Sequence, residues 1–117
     1  MNLYLDSRNH PRIKLEIFLS SWVEIDCMID TGFSGGITLP QKFAEHFKEK
    51  PIMYHEFELA DGSRRKYPIY KLKLSFNHER KEVNLSFTES KESFVGIEFL
   101  LGFRFILDLK RFHVTLD

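Results

Sequence analysis

The chain has 117 residues, 43% of them hydrophobic and 15% aromatic, with 17 basic and 17 acidic residues and a formal net charge of zero. That length supports one domain, residues 1–117, with its own core, and the apolar content excludes a disordered chain. Balanced charge gives no basis for a nucleic-acid partner, and Arg64-Arg65-Lys66 reads as a solvated turn tip.

Met1 to Pro11 has no cationic start followed by an apolar run, so no signal peptide is expected. Charges interrupt every apolar segment well short of membrane-spanning length, so no membrane contact is expected either. The single cysteine, Cys27, cannot close an internal disulfide, which fits a reducing compartment and a cytoplasmic location. Its place on the apolar side of a strand marks it as a structural thiol rather than a nucleophile. The five histidines, His10, His46, His55, His78 and His113, lack metal-ligand spacing and are expected at the surface, so no metal or other cofactor is called for.

In chain order, Ile13, Leu15 and Ile17 alternate with Lys14 and Glu16. After Ser20-Ser21, Val23, Ile25, Cys27 and Ile29 alternate with Trp22, Glu24, Asp26 and Met28. Two period-two runs around a short polar turn predict a hairpin. Pro40 to Lys50 breaks the pattern: Pro at its start and Phe43, Ala44 and Phe47 at helical spacing predict a short helix. Tyr54 to Tyr70 predicts a hairpin with its tip at Asp61-Gly62. Leu72, Leu74 and Phe76 are then answered by Val83, Leu85 and Phe87 across a turn at Asn77 to Lys81. A brief helix is predicted over Phe103 to Leu109, before a last strand from Phe112 to Leu116. Phe43, Phe47, Phe76 and Phe87 are expected in the core, and Trp22 on the outer face. The class is all-β, a barrel or sandwich of many short strands with one or two short helices.

One acid stands out. Asp30-Thr31-Gly32 follows the apolar Cys27-Met28-Ile29, with Phe33-Ser34-Gly35-Gly36 behind it. The bland reading is a structural turn acid whose carboxylate accepts nearby backbone N–H groups. A lone Ser34 without a neighbouring His in sequence is a weak candidate nucleophile. Further along lie the hairpin tip Ala60-Asp61-Gly62-Ser63 and an apolar run ending in Gly, Leu100-Leu101-Gly102.

In this order, Ile29-Asp30-Thr31-Gly32, the hairpin at Ala60 to Ser63 and Leu100-Leu101-Gly102 resemble the retropepsin-like aspartic proteases. "DTGFSGGITLP" and "LADGS" look most like their small prokaryotic single-domain members. The resemblance runs from about Ile13 to Leu116 and implies a β-barrel half-molecule whose active site is completed across a homodimer. It implies an endopeptidase in which Asp30 of each of two chains forms a water-activating dyad. Thr31 and Gly32 would buttress that site, with Thr31 hydrogen-bonding across the two-fold axis and Leu100, Leu101 and Gly102 crossing beneath the loop. Gly32, Phe33 and Ser34, with the flap residues Ala60, Asp61, Gly62 and Ser63, would meet a peptide or protein substrate. The terminal strands, Met1 to Leu5 and Phe112 to Leu116, would interleave as the dimer sheet. Only one Asp-Thr-Gly is present, so one chain cannot make the dyad. The alternative is a non-catalytic peptide-binding or dimerisation module that keeps the loop for structure. Three positions depart from the family pattern. Phe33 replaces a small residue, Phe103-Arg104 follows Gly102 where many viral members carry Arg at once, and the flap is charged.

Overall fold

The computed structural model describes residues 2–58 and 60–117, with Phe57 described by its backbone alone. Met1, at the start of the first expected strand, and Leu59, the first residue of the "LADGS" stretch, lie outside the described residues.

Period-two patterning becomes strands because each run buries one side and wets the other. β1 (Leu3–Leu5) pairs antiparallel with β2 (Pro11–Phe18), which pairs in turn with β3 (Trp22–Ile29). In that second pairing Ile13 faces Cys27, Leu15 faces Ile25 and Ile17 faces Val23, so one face is wholly apolar. β4 (Ile37–Pro40), β5 (Met53–Glu58), β6 (Arg64–Phe76), β7 (Glu79–Thr88) and the two-residue β8 (Phe94–Val95) follow. A single α-helical turn, α1 (Ile97–Leu100), precedes the terminal pair β9 (Phe105–Asp108) and β10 (His113–Leu116).

The sheet runs β1-β2-β3-β8-β4-β7-β6-β5, and β2 also pairs with β6 through Glu16 to Ser75 and Ile17 to Leu74. That extra pairing closes six strands into a barrel, with β1 and the β5 arm outside the ring. Ile13, Ile17, Cys27, Ile37, Leu39, Leu72, Leu74, Leu85, Val95 and Phe99 fill it with no solvent exposure. A closed ring leaves few free edges and shields its interior from both sides.

Four local expectations need correction. Gln41–His46 is a 3₁₀ turn after β4, not an α-helix through Lys50. Its Phe43 and the following Phe47 pack half-buried against the core, where Phe47, Tyr70 and Phe87 form an edge-to-face trio. Phe103 to Leu109 is not helical: the helix lies earlier, and Phe105–Asp108 is a strand. Register explains it, since Phe105 to Asp108 finds a hydrogen-bonding partner in Leu116 to His113. The β6–β7 turn is only Asn77-His78, both at positive φ (50° and 66°), the geometry that tight hairpins require. The last strand begins at His113, with Phe112 in the preceding turn.

Two side-chain clusters brace the ring. Arg12 donates to Asp26 at 2.7 Å and to Glu92, while Tyr4 donates to the second oxygen of Asp26, so β1, β2, β3 and the approach to β8 share one ionic network. The Lys81 ammonium donates to the carbonyls of Phe99 (2.7 Å) and Leu101 (2.6 Å), which the end of α1 leaves without helical partners. All five histidines are exposed, as expected from their sequence positions. Trp22 is half-exposed, against Phe18 and beneath the Arg80 guanidinium.

Cys27 is fully buried, and desolvation pushes its thiol far above the ordinary range. A thiol-specific aromatic disulfide reagent at pH 8 should therefore leave the native protein unmodified and label one thiol per chain in urea. Rapid labelling of the native protein would contradict that placement.

Candidate active site

β3 ends at Ile29, and the chain must then leave the barrel to reach β4. Between these strands lies β8, parallel to β3 through Met28–Phe94 and Ile29–Val95 and antiparallel to β4 through Ile37–Val95 and Thr38–Phe94. The connecting loop, residues 30–36, therefore passes over the end of β8. Asp30 is its first residue. Its N–H donates to the Val95 carbonyl (2.9 Å), and its own carbonyl accepts from the Phe33 N–H (3.1 Å). One carboxylate oxygen accepts from the Gly32 N–H at 2.9 Å, and the side chain is otherwise half-exposed. Thr31 and Ser34 are exposed at the loop's crest.

What holds the loop down is the chain just after β8. The N–H groups of Gly96, Ile97 and Glu98 donate to the carbonyls of Gly36 (2.9 Å), Phe33 (2.8 Å) and Gly35 (3.1 Å). Two of these donors open α1, so the loop satisfies helix N–H groups that have no partner within the helix. Glu98 adds a further brace: its carboxylate accepts the Asn84 N–H of β7 at 2.7 Å.

The structure thus brings Phe94-Val95-Gly96, not Leu100-Leu101-Gly102, against the Asp30 loop. Leu100 is buried in the core as the last residue of α1; Leu101 is 63% exposed, and Gly102 lies in the turn that follows, at φ 89°. Both triplets are apolar-apolar-Gly. The signal that separates them is the stretch Ile97-Glu98-Phe99-Leu100, whose opening Gly needs backbone contact on both sides. A Cβ on Gly96 would stand 2.3 Å from the Phe33 carbonyl oxygen and 2.5 Å from that of Gly35.

The same packing explains Phe33. Its ring lies against Gly35 and Gly96, where a Cβ at either would meet it at 2.6 Å. The bulk absent from those two positions is supplied by Phe33. Its ring forms part of the wall of a cleft of about 330 Å³ that runs from Gly32 to Gly36, past Asn84, Leu85 and Ser86, to Met53, His55 and Ile69.

Met53, His55 and Ile69 belong to the long β5–β6 hairpin, which reaches over that cleft. Its tip is Ala60-Asp61-Gly62-Ser63, all exposed, with Gly62 at φ 85°. The Asp61 carboxylate accepts both the Ser63 N–H (2.9 Å) and the Ser63 hydroxyl (2.6 Å), which holds its pKa below the ordinary range. Asp61 is thus spent on shaping the turn. Of the expected site residues, Gly32, Phe33 and Ser34 line one end of the cleft, Asp30 opens the same loop just before them, and the tip residues stand at the end of the arm. Asn84, Met53, His55 and Ile69 line the cleft with no motif to announce them, since strand pairing brings them there, while Val95, Gly96 and Glu98 reach the loop from β8 and the start of α1. Arg104 is exposed and bonds Asp117 at 3.3 Å. Among the described residues no cluster of His, Cys, Asp and Glu could hold a metal, and no helix is long and apolar enough to cross a membrane.

A barrel with Asp-Thr-Gly at the loop beside a threaded strand, under a hairpin arm, is the architecture of the retropepsins. No protein-family model matches the chain, and no curated protein does at the level of sequence. Solved structures do. A retropepsin-like aspartic protease from Rickettsia conorii superimposes with a TM-score of 0.62 at 18% identity, over 91% of this chain and 82% of that one. The Simian Foamy Virus (mac) protease gives 0.61 at 16% identity, over 76% and 90%. The EIAV protease, solved with the inhibitor HBY-793, gives 0.56 at 10% identity, over 81% and 88%. The chain has the retropepsin-like fold.

Gly96 and Gly102 separate the two possible supports for the loop. Gly96→Ala should destabilise by about 3 kcal/mol or more, because two backbone carbonyls must move. Gly102→Ala, open to solvent, should cost only about 1 kcal/mol of backbone strain. Urea unfolding of both variants checks the order; equal losses would contradict it.

Proposed function

We propose that the chain is an aspartic endopeptidase that works as a homodimer, with Asp30 of two copies forming the catalytic pair. The observation that carries this reading is the position of Asp30. It ends a barrel strand with its backbone fixed to Val95, and its loop walls one end of a cleft beneath a hairpin arm.

In such a pair two carboxylates within hydrogen-bonding distance cannot both ionise, as is known for aspartic-protease dyads. The charged Asp30 takes a proton from water as its oxygen attacks the scissile carbonyl carbon. The protonated Asp30 of the partner donates to the carbonyl oxygen. The resulting gem-diol collapses with cleavage of the C–N bond as the Asp30 that took the water proton passes it to the leaving nitrogen, and a gem-diol hydroxyl returns its proton to the partner's Asp30, so the pair again holds one proton. The Gly32 N–H holds one carboxylate oxygen in place, and the Thr31 hydroxyl, exposed at the loop's crest, would bond across the axis. An extended peptide would lie in the cleft between loop and arm, bonding in the manner of an added strand, with Ser34 and the tip residues Ala60 to Ser63 closing over it.

The partner surface is the C-terminal end of the chain. Ile97, Leu101, Ile106, Leu107, Leu109 and Phe112 are all exposed there, and Phe112 is 67% exposed at φ 52°, an uncommon conformation for a bulky residue. β1 ends the main sheet, and β10 packs beside it, so both terminal strands offer an edge to a second copy. The buried free thiol of Cys27 accords with a reducing compartment, and we place the protein in the cytoplasm.

A second reading has its own support: the Asp30 carboxylate already accepts the Gly32 N–H, as a purely structural turn acid would. The same fold would then be a non-catalytic peptide-binding or dimerisation module. Asp30→Asn separates the two, because the amide oxygen still accepts that bond but the pair can no longer share its proton. With a denatured-protein peptide mixture and new termini read by mass spectrometry, the wild type should cleave and Asp30→Asn should lose at least a thousandfold in rate while sedimenting as the same dimer. Full cleavage by Asp30→Asn sinks the catalytic reading.

Two further outcomes follow. Activity should peak at mildly acidic pH and decline on both sides, since the pair works with one proton and titrates as a unit. A rate that keeps rising to alkaline pH would count against the pair. Phe112→Asp should shift the equilibrium to monomer, with activity falling in step and folding retained; an unchanged dimer would place the interface elsewhere.

A further inference from the structure

The charges of the hairpin arm are arranged by face. The β5–β6 register sets Glu56 opposite Lys66 and Glu58 opposite Arg64, and Arg64 also reaches Glu56 at 3.5 Å, so that face is balanced. Asp61 is turned into its own tip. Strand alternation puts the other set on the opposite face: Met53 with Ile69, His55 with Tyr67, and Arg65 two residues beyond Tyr67. Met53, His55 and Ile69 line the cleft, so this is the face turned toward it. Arg65 is exposed, has no carboxylate partner among the described residues, and is the one Lys, Arg, Asp or Glu among these cleft-side positions. The opposite wall offers Phe33, Leu85 and the backbone of Gly32 to Gly36, while Glu98 is engaged by the Asn84 N–H.

We propose that Arg65 is a specificity-determining residue: the cleft takes an extended segment that lays an apolar side chain over Phe33, Met53, Ile69 and Leu85 and an Asp or Glu side chain against the Arg65 guanidinium. A guanidinium donates two parallel bonds to a carboxylate, a geometry that neither an amide nor a lysine matches. Arg65 lies about 13 Å along β6 from Ile69, so one extended peptide touches both. The charged arm is thereby suited to an acidic substrate segment rather than a wholly apolar one. The inference rests on the cleft being a peptide site and does not require turnover.

The experiment uses full-length Asp30→Asn, so that binding is read without cleavage, with fluorescein-labelled peptides of one apolar sequence carrying Glu, Gln or Lys at each position in turn. Anisotropy should show the Glu peptide binding about tenfold more tightly than its Lys counterpart at one position. Arg65→Gln should abolish that difference, Arg65→Lys should keep part of it, and Arg65→Glu should invert it. All four proteins should show the same unfolding midpoint, because the residue is exposed. Peptide binding with no charge preference, or a preference unchanged in Arg65→Glu, overturns the role of Arg65 and leaves the peptide site standing. No binding of any peptide overturns the peptide site and this inference with it.

Discussion

The constraint on which the rest depends is the insertion of β8 between β3 and β4. A two-residue strand has little stability of its own; it persists because it is hydrogen-bonded on both sides inside a closed ring. Its presence forces the β3–β4 connection to climb over it, which is why Asp30 lies at the rim of the barrel rather than in its wall. The loop then returns the favour by accepting the first N–H groups of α1. Loop, strand and helix turn are mutually required, and an acid placed by such a device has little freedom of position. Catalytic chemistry between two carboxylates demands that kind of restraint.

Glycine and phenylalanine exchange volume around this junction. Gly35 and Gly96 leave a surface that the Phe33 ring covers, and Gly36 leaves room for Glu98 and the carbonyl of Asn84. A family-atypical aromatic beside the acid is thus a packing element first, and its exposed part becomes cleft wall. The rigidity of this side contrasts with the arm across the cleft, whose outer strand, β5, stands at the edge of the sheet beside β6 and whose tip residues are exposed. Few buried contacts make such an arm the part most able to move over a ligand.

Six of the ten exposed large apolar side chains among the described residues lie between Ile97 and Phe112. Ile106 and Leu107 lie on β9, and Leu109 and Phe112 in the turn before β10; among the described residues no third strand is hydrogen-bonded to this pair. An isolated hairpin is marginal in water, so a covering partner would add stability to this pair.

The sequence by itself determined the all-β class, the three hairpins with their in-and-out residues, the burial of Cys27, the exposure of the histidines and the loop that carries Asp30. These follow from period-two alternation and from turn chemistry, both local in the chain. Only the tertiary structure decided which apolar-apolar-Gly segment supports that loop. Phe94-Val95-Gly96 and Leu100-Leu101-Gly102 look alike as triplets, and the difference lies in contacts across sixty residues or more. The same holds for the brief helix expected over Phe103 to Leu109, in whose place Phe105–Asp108 pairs with His113–Leu116. Barrel closure through Glu16 and Ser75, and the cleft-facing position of Arg65, likewise arise from register, which no single strand specifies alone.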